Sequence, residues 1–547
     1  MPEVMGPSFN LVLEPWIPVR GPDGEHIELG LLEALVRAHE FAGLDVDYPT
    51  QEPSLLRLLL AVCYRALCRP RSERDWHELW SAPTLPEAEI RAYLDAWGHR
   101  FDLFDRDVPF FQVPGLELQS GKPSPAQRLV PYLPSGNNVP LLIPLAERDV
   151  FTLTPAEAAR WLIERHQWGT TSDRGGARNN PFLNNGRDVP ATGYVGFIGF
   201  VAPLGATLKE TLALNLVPLD GRWTSTAQAD LPAWERDPDG PVRAKRKSGV
   251  GGKAPAGICD LYTWQGRRIR LLPGLDGKGD TVVSQVIVCA GDDVTRDSTI
   301  NIDPHTGWGL TKDGEHYPLR AKPGQQVWRS LASLLALGDT RTGLGASRAP
   351  VLSWLARIEE TVPAVVTLLT TSANYEKNAA ILGDILADRL AVSIAILRQE
   401  DLAVGEFVVA CAEVAEGASH ALGLIAEAPY LREQDGEFKL PRDDEETKRR
   451  VTRAKQILAE RLFAAIDAPF RGLAARLSND GAIETERGRW RDTVEQAVRR
   501  EAERELATLP TSQALAAAVA SRRSMAKLRS VVERFSPTKE THGTEAE

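Results

Sequence analysis

The chain is short of cysteine, of catalytic signatures and of positive charge, and each shortage closes off a class of function. Five cysteines among 547 residues (Cys63, Cys68, Cys259, Cys289, Cys411) are too few and scattered for a disulfide framework. Cys63 and Cys68 face different directions on one predicted helix and read as core thiols, not co-ligands. No His-Glu-x-x-His, paired Cys-x-x-Cys or Gly-x-Ser-x-Gly pattern occurs. Gly252-Lys253 is followed by Ala254, and Lys247 stands where a P-loop needs its glycine. His166 and His305 each lack a nearby cysteine or second histidine, so no metal site is expected. No uncharged apolar run of about 18 residues occurs, so no membrane-spanning helix is expected. Met1-Pro2-Glu3-Val4 has neither the basic nor the apolar part of a leader, which points to a reduced, cytoplasmic protein. A net charge of −10 argues against coating nucleic acid unaided, while leaving room for local basic patches.

What is present begins with size: 547 residues suffice for two or three domains of ordinary globular composition. The most distinctive stretch runs from His166 to Phe200. Gly175, Gly176 and Gly186 permit backbone angles other residues avoid. Asn179, Asn180, Asn184 and Asn185 favour turns. Arg174, Arg178 and Arg187 supply fork-shaped donors suited to phosphate. The stretch reads either as a plain surface loop or as one that lets a polyanion approach main-chain N–H groups.

Around it, Phe9–Leu13 reads as a strand, Gly21–Gly24 as a hairpin turn, and Ser54–Cys68 as a helix apolar all round. Trp76, Trp80, Tyr93 and Trp97 read as packing on two further helices. Residues 118–148 read as a second long loop, and Thr154 as the cap of a helix from Pro155 to Gln167. Val195–Val201, Leu212–Val217, Arg268–Leu272 and Thr281–Ala290 read as strands. The basic run Arg243–Lys247 is a solvated or a phosphate-contacting loop. Beyond residue 380 the periodicity is helical. Ala380–Arg398, Glu406–Ile425 and the faces marked by Leu458 and Leu462, Trp490 and Val494, and Leu528 and Val532 predict a bundle, with Pro469, Gly481 and Pro510 near its breaks. Ser536–Glu547 reads as a disordered tail.

Phe9–Val19 with its Trp16-Ile17-Pro18-Val19, together with Phe101-Asp102-Leu103-Phe104 and Pro109-Phe110-Phe111-Gln112, resembles the large subunit (CasA) family of the type I-E CRISPR surveillance complex, Cascade. The resemblance covers nearly the whole chain. It implies an α+β protein: a large mixed α/β domain over 1–379, a C-terminal four-helix bundle over 380–535, and the tail. It also implies a non-enzymatic subunit without cofactors. Such a subunit reads the protospacer-adjacent motif (PAM) of double-stranded DNA from the minor groove, promotes duplex opening and R-loop formation, and helps recruit a helicase–nuclease for antiviral defence. The implied partners are target DNA, the guide RNA end, the small-subunit dimer and the guide-end capping subunit.

By the same resemblance, the glycine loop falls within Gly169–Gly186, at Gly175 and Gly176. Lys312 is the lysine finger, and Lys377-Asn378-Ala379 the strand-separating wedge. The family often has glutamine where Asn378 stands; asparagine keeps the amide on a shorter stem. Asn138 and Leu141 fall in the loop that meets the guide end. Arg174, Arg178, Arg449 and Arg453 are candidate phosphate contacts. Some relatives carry a cysteine cluster in the mid-domain loop; Cys259 alone implies no zinc. Two rival readings remain: an enzyme with a dispersed active site near His166, and a scaffold binding protein and guide RNA without reading the PAM.

Overall fold

The computed structural model describes residues 6–68, 70–133, 151–218, 229–243, 252–300, 302–337, 346–398, 402–441, 444–477 and 483–535. The chain divides into two compact units. The first comprises Met1–Gln325, Asp339–Leu355 and Thr367–Arg389, and the second Gln326–Gly338, Ala356–Val366 and Leu390–Glu547.

The first unit is built around the helix Gln51–Leu67, whose sides are buried almost all round as its apolar sequence requires. Leu55, Leu58, Leu59 and Val62 join Trp16, Phe101, Phe110 and Trp234 in its main core. Three small sheets and a hairpin surround this core. Strand Ile17–Arg20 pairs antiparallel with His26–Leu29 through the expected turn, and with Gly43–Leu44. Phe9–Leu13 is not a strand: Asn10 makes one bridge to Asp102, and the backbone then turns. The expected strands at 268–272 and 281–290 are present as Arg267–Leu275 paired with Thr281–Ala290. Gly307–Leu310 and His316–Leu319 form a short hairpin.

Strand Phe200–Leu204 pairs with Val365–Glu376, which pairs in turn with Ile381–Ser393. The last of these replaces the helix expected over Ala380–Arg398. Composition favours a helix there, but strand pairing overrides propensity. Likewise Leu208–Asn215 is a helix capped by the Thr207 hydroxyl, so the strand expected at Leu212–Val217 is absent.

In the second unit the bundle consists of Ala403–Leu422, Glu445–Arg476, Ile483–Leu506 and Ala514–Phe535. The first of these packs on the other three. Its Gly417 allows close approach, since a β-carbon there would lie 2.8 Å from Val531. Trp490 donates its indole N–H to the Cys411 carbonyl at 2.9 Å. Pro469 lies inside the helix Glu445–Arg476 and does not break it. The helical stretch Ala403–Tyr430 has the length and composition to cross a bilayer, contrary to the expectation of no such helix; two thirds of its most apolar part is buried in the protein, as in a core helix.

Candidate nucleic-acid interface

The helix Pro155–Trp168 sets up the site. Pro155 occupies its first turn, where a missing N–H costs nothing. Thr154 and Glu157 form a reciprocal capping box. The helix is almost wholly buried, so its end is a fixed point. From there the chain enters the glycine-rich loop, which closes on itself where the Gly193 amide donates to the Gly169 carbonyl at 2.8 Å.

Below the loop lies a buried charge cluster. The Asp173 carboxylate receives Arg165 at 2.5 Å and Arg267 at 2.9 Å, with Arg128 at 3.9 Å. Burial alone would push this carboxyl's pKa up, but the three guanidinium groups outweigh it and hold it below its usual value. Arg267 also donates to the Thr170 and Ala191 carbonyls, at 3.0 and 2.9 Å, and so holds both limbs of the loop.

The hairpin Val365–Glu376/Ile381–Ser393 turns over this loop. Its turn is Lys377-Asn378-Ala379, all three in the left-handed region with φ of 49°, 59° and 63°. None is glycine, and such a conformation costs about 1–2 kcal/mol for residues such as Lys377 and Ala379, less for an asparagine. Backbone strain of this kind concentrates at functional sites and persists only where the surroundings impose it. Here the Thr171 amide donates to the Ala379 carbonyl and the Thr171 hydroxyl to the Asn378 carbonyl, each at 2.9 Å. The Lys377 and Asn378 side chains are exposed. Lower on the hairpin, Tyr375 donates its hydroxyl to the Trp168 carbonyl at 2.9 Å.

Lys312 lies exposed in the turn of the other hairpin, where Thr311 and Glu315 close the loop and Gly314 takes a positive φ. That hairpin shares a root with the one carrying the Lys377–Ala379 turn. Arg320, just past its second strand, donates to the Ala373 carbonyl and to the carbonyls of Gly196 and Phe197. The Ser372 hydroxyl donates to the Ala321 carbonyl at 2.7 Å.

The two glycines singled out in the sequence have packing roles. A β-carbon at Gly175 would lie 2.5 Å from the Val288 carbonyl oxygen, and one at Gly176 would lie 2.3 Å from that of Gly186. Arg174 is exposed and carries no ion pair among the described residues, whereas Arg178 pairs with Glu117. Arg449 and Arg453 are exposed one turn apart on Glu445–Arg476, in the second unit. Asn138, Leu141 and the tail lie outside the described residues. Thr171, Tyr375, Gly196, Arg267 and Asp173 carry no signal of their own in the sequence, though all but Arg267 stand inside stretches that do.

His166 is not in a loop. It lies buried on the helix, its Nε2–H donating to the Phe111 carbonyl at 2.9 Å and its Nδ1 accepting from the Arg267 amide. Burial lowers its pKa to about 3, so it stays neutral and fully bonded, as a structural histidine does. Among the described residues no group of three or more His, Cys, Asp or Glu is placed to hold a metal ion.

The described residues thus form a mixed α/β unit with a strained turn, in a chain that continues into a four-helix bundle. Residues 10–501 match the family described as CRISPR-associated protein Cse1. The structure is similar to that of Cse1 from Acidimicrobium ferrooxidans, with a TM-score of 0.87 and 42% identity, covering 97% of this chain and 100% of that one. It is also similar to Thermobifida fusca Cse1, with a TM-score of 0.83 and 30% identity, covering 96% and 98%. CasA/Cse1 of Thermus thermophilus is 35% identical over 329 residues, 60% of this chain; the match spans 60% of that curated relative. The chain belongs to the Cse1/CasA family, the large subunits of type I-E Cascade.

Proposed function

We propose that this chain reads the PAM of duplex DNA from the minor groove and starts the opening that lets guide RNA pair. The observation that carries the reading is the turn Lys377–Ala379, strained and braced from the glycine-rich loop, with its polar Lys377 and Asn378 exposed. The minor groove offers mostly acceptors, with the guanine amino group as the exception. A lysine can donate to those acceptors, and Lys312 and Lys377 are both exposed. Driving a side chain into the stack costs a few kcal/mol per step. Exchange of a DNA duplex for a guide heteroduplex is nearly balanced, so contacts of that size tip it.

In this reading Arg174 and Arg178 hold phosphates near the turn, and Arg449 and Arg453 hold them on the bundle, without reading sequence. The segment containing Asn138 and Leu141 meets the guide end. The small-subunit dimer, the guide-end capping subunit and the recruited helicase–nuclease complete the partners, in the cytoplasm. The test is target affinity of assembled Cascade at defined salt. Lys312→Ala and Asn378→Ala are expected to weaken binding of PAM-bearing duplex with the fold intact; normal affinity in both variants overturns the reading.

A further inference from the structure

We infer that Thr171 is the positioning residue of the strand-opening turn: it fixes Asn378 and Ala379 on the glycine-rich loop, so that turn and loop meet a duplex as one body. This rests on the function proposed above.

The geometry is specific. One residue supplies two donors, amide and hydroxyl, to two successive carbonyls of the turn, at 2.9 Å each. Those carbonyls belong to residues held at positive φ, a conformation that relaxes unless its surroundings impose it. Thr171 is itself braced on both sides. Its predecessor Thr170 is held through its carbonyl by Arg267, and Asp173 anchors the chain two residues on. Trp168 takes the Tyr375 hydroxyl. The path from a buried guanidinium to the exposed turn therefore runs through two residues.

This matters because insertion into a base stack is opposed by a few kcal/mol per step. A turn that swings freely must be ordered at the moment of insertion, and that ordering subtracts from the energy available for opening. A turn held in advance does not. Thr171 is thus expected to act on duplex opening rather than on affinity for DNA already open.

The test compares two targets in assembled Cascade at fixed salt: a PAM-bearing duplex, and the same target with the PAM-adjacent base pairs pre-opened by mismatch. Thr171→Val keeps the amide and the shape but removes the hydroxyl donor. It is expected to bind the duplex about three- to tenfold more weakly, the worth of one neutral hydrogen bond, and the pre-opened target normally. Thr171→Ser is expected to restore duplex binding, and the unfolding midpoint to fall in Thr171→Val by no more than the worth of that one hydrogen bond. Wild-type affinity of Thr171→Val for the duplex, an equal loss on both targets, or no rescue by serine overturns the inference. Asn378→Ala separates the two levels. If it changes the duplex preference while Thr171→Val does not, only the positioning role falls; if neither changes it, the strand-opening reading falls and takes this inference with it.

Discussion

The Tyr375 hydroxyl reaches the Trp168 carbonyl only because residue 196 has no side chain: a β-carbon on Gly196 would lie 1.8 Å from that hydroxyl oxygen. The stem of the hairpin Val365–Glu376/Ile381–Ser393 thus passes through a gap in the short helix Tyr194–Ile198. Gly196→Ala is expected to push Tyr375 off its anchor and to destabilise the protein by about 1–3 kcal/mol, as overpacking does. Denaturant unfolding checks the stability, and target binding by assembled Cascade should fall with it. Tyr375→Phe, which removes the hydrogen bond without a clash, should cost less, about 0.5–1.5 kcal/mol.

The strained turn gives an opposite prediction for stability. Ala379 sits at φ 63°, where glycine is at ease. Ala379→Gly is expected to leave stability unchanged or raise it by up to about 1 kcal/mol, because strain relief offsets the added freedom of the unfolded chain. The same change loosens the turn, so duplex opening should become weaker while the unfolding midpoint holds or rises. A variant that opens duplex better would contradict the view that the turn is held in advance.

Two buried histidines and a buried glutamate contribute opposing trends to the pH response. Burial lowers the pKa of His166 to about 3 and that of His305 to about 4. Below about pH 6.5 the unfolded chain therefore binds protons the folded one refuses, and stability is lost as pH falls. Glu164 acts in the opposite sense: burial raises its carboxyl from 4.5 to about 7. Its contribution is present below pH 4.5 and lost as pH rises through 7. Glu164→Gln removes that opposing trend, so stability should rise more steeply between pH 4.5 and 6.5 than in the wild type. Denaturant midpoints across that window measure it; an unchanged or shallower slope contradicts the assignment.

Much of the fold can be read from local chemistry, because local chemistry decides it. Thr154 and Pro155 announce a helix start, and β-branched residues announce Thr281–Ala290. Ile381–Ser393 defeats such a reading because its leucines, alanines and arginine favour a helix, while its partner Val365–Glu376 makes it a strand. The wedge and lysine finger come from resemblance, not from periodicity. The residues that brace the turn leave no local signature. Thr171 meets Ala379 and Trp168 meets Tyr375 only after the chain has crossed about 200 residues, and no spacing rule reaches that far. Glycine is required at 175, 176 and 196, but in each case packing is sufficient reason.

The bundle arginines carry a different expectation from the turn. Arg449 and Arg453 are exposed, and as phosphate-holding groups they would grip any sequence alike. Replacing either by alanine should lower affinity uniformly across PAM variants. It should also reduce the slope of log K against log salt by about 0.7–0.9 for each phosphate left without its arginine. A sequence-dependent loss, or an unchanged slope, contradicts that role.

Site-specific crosslinking tests most directly whether the Lys377–Ala379 turn meets the PAM-bearing duplex itself. A photoreactive residue at position 378 in assembled Cascade is predicted to crosslink to nucleotides of the PAM and the first adjoining base pair. Crosslinks confined to guide RNA or to other subunits, with none to the duplex, would contradict it.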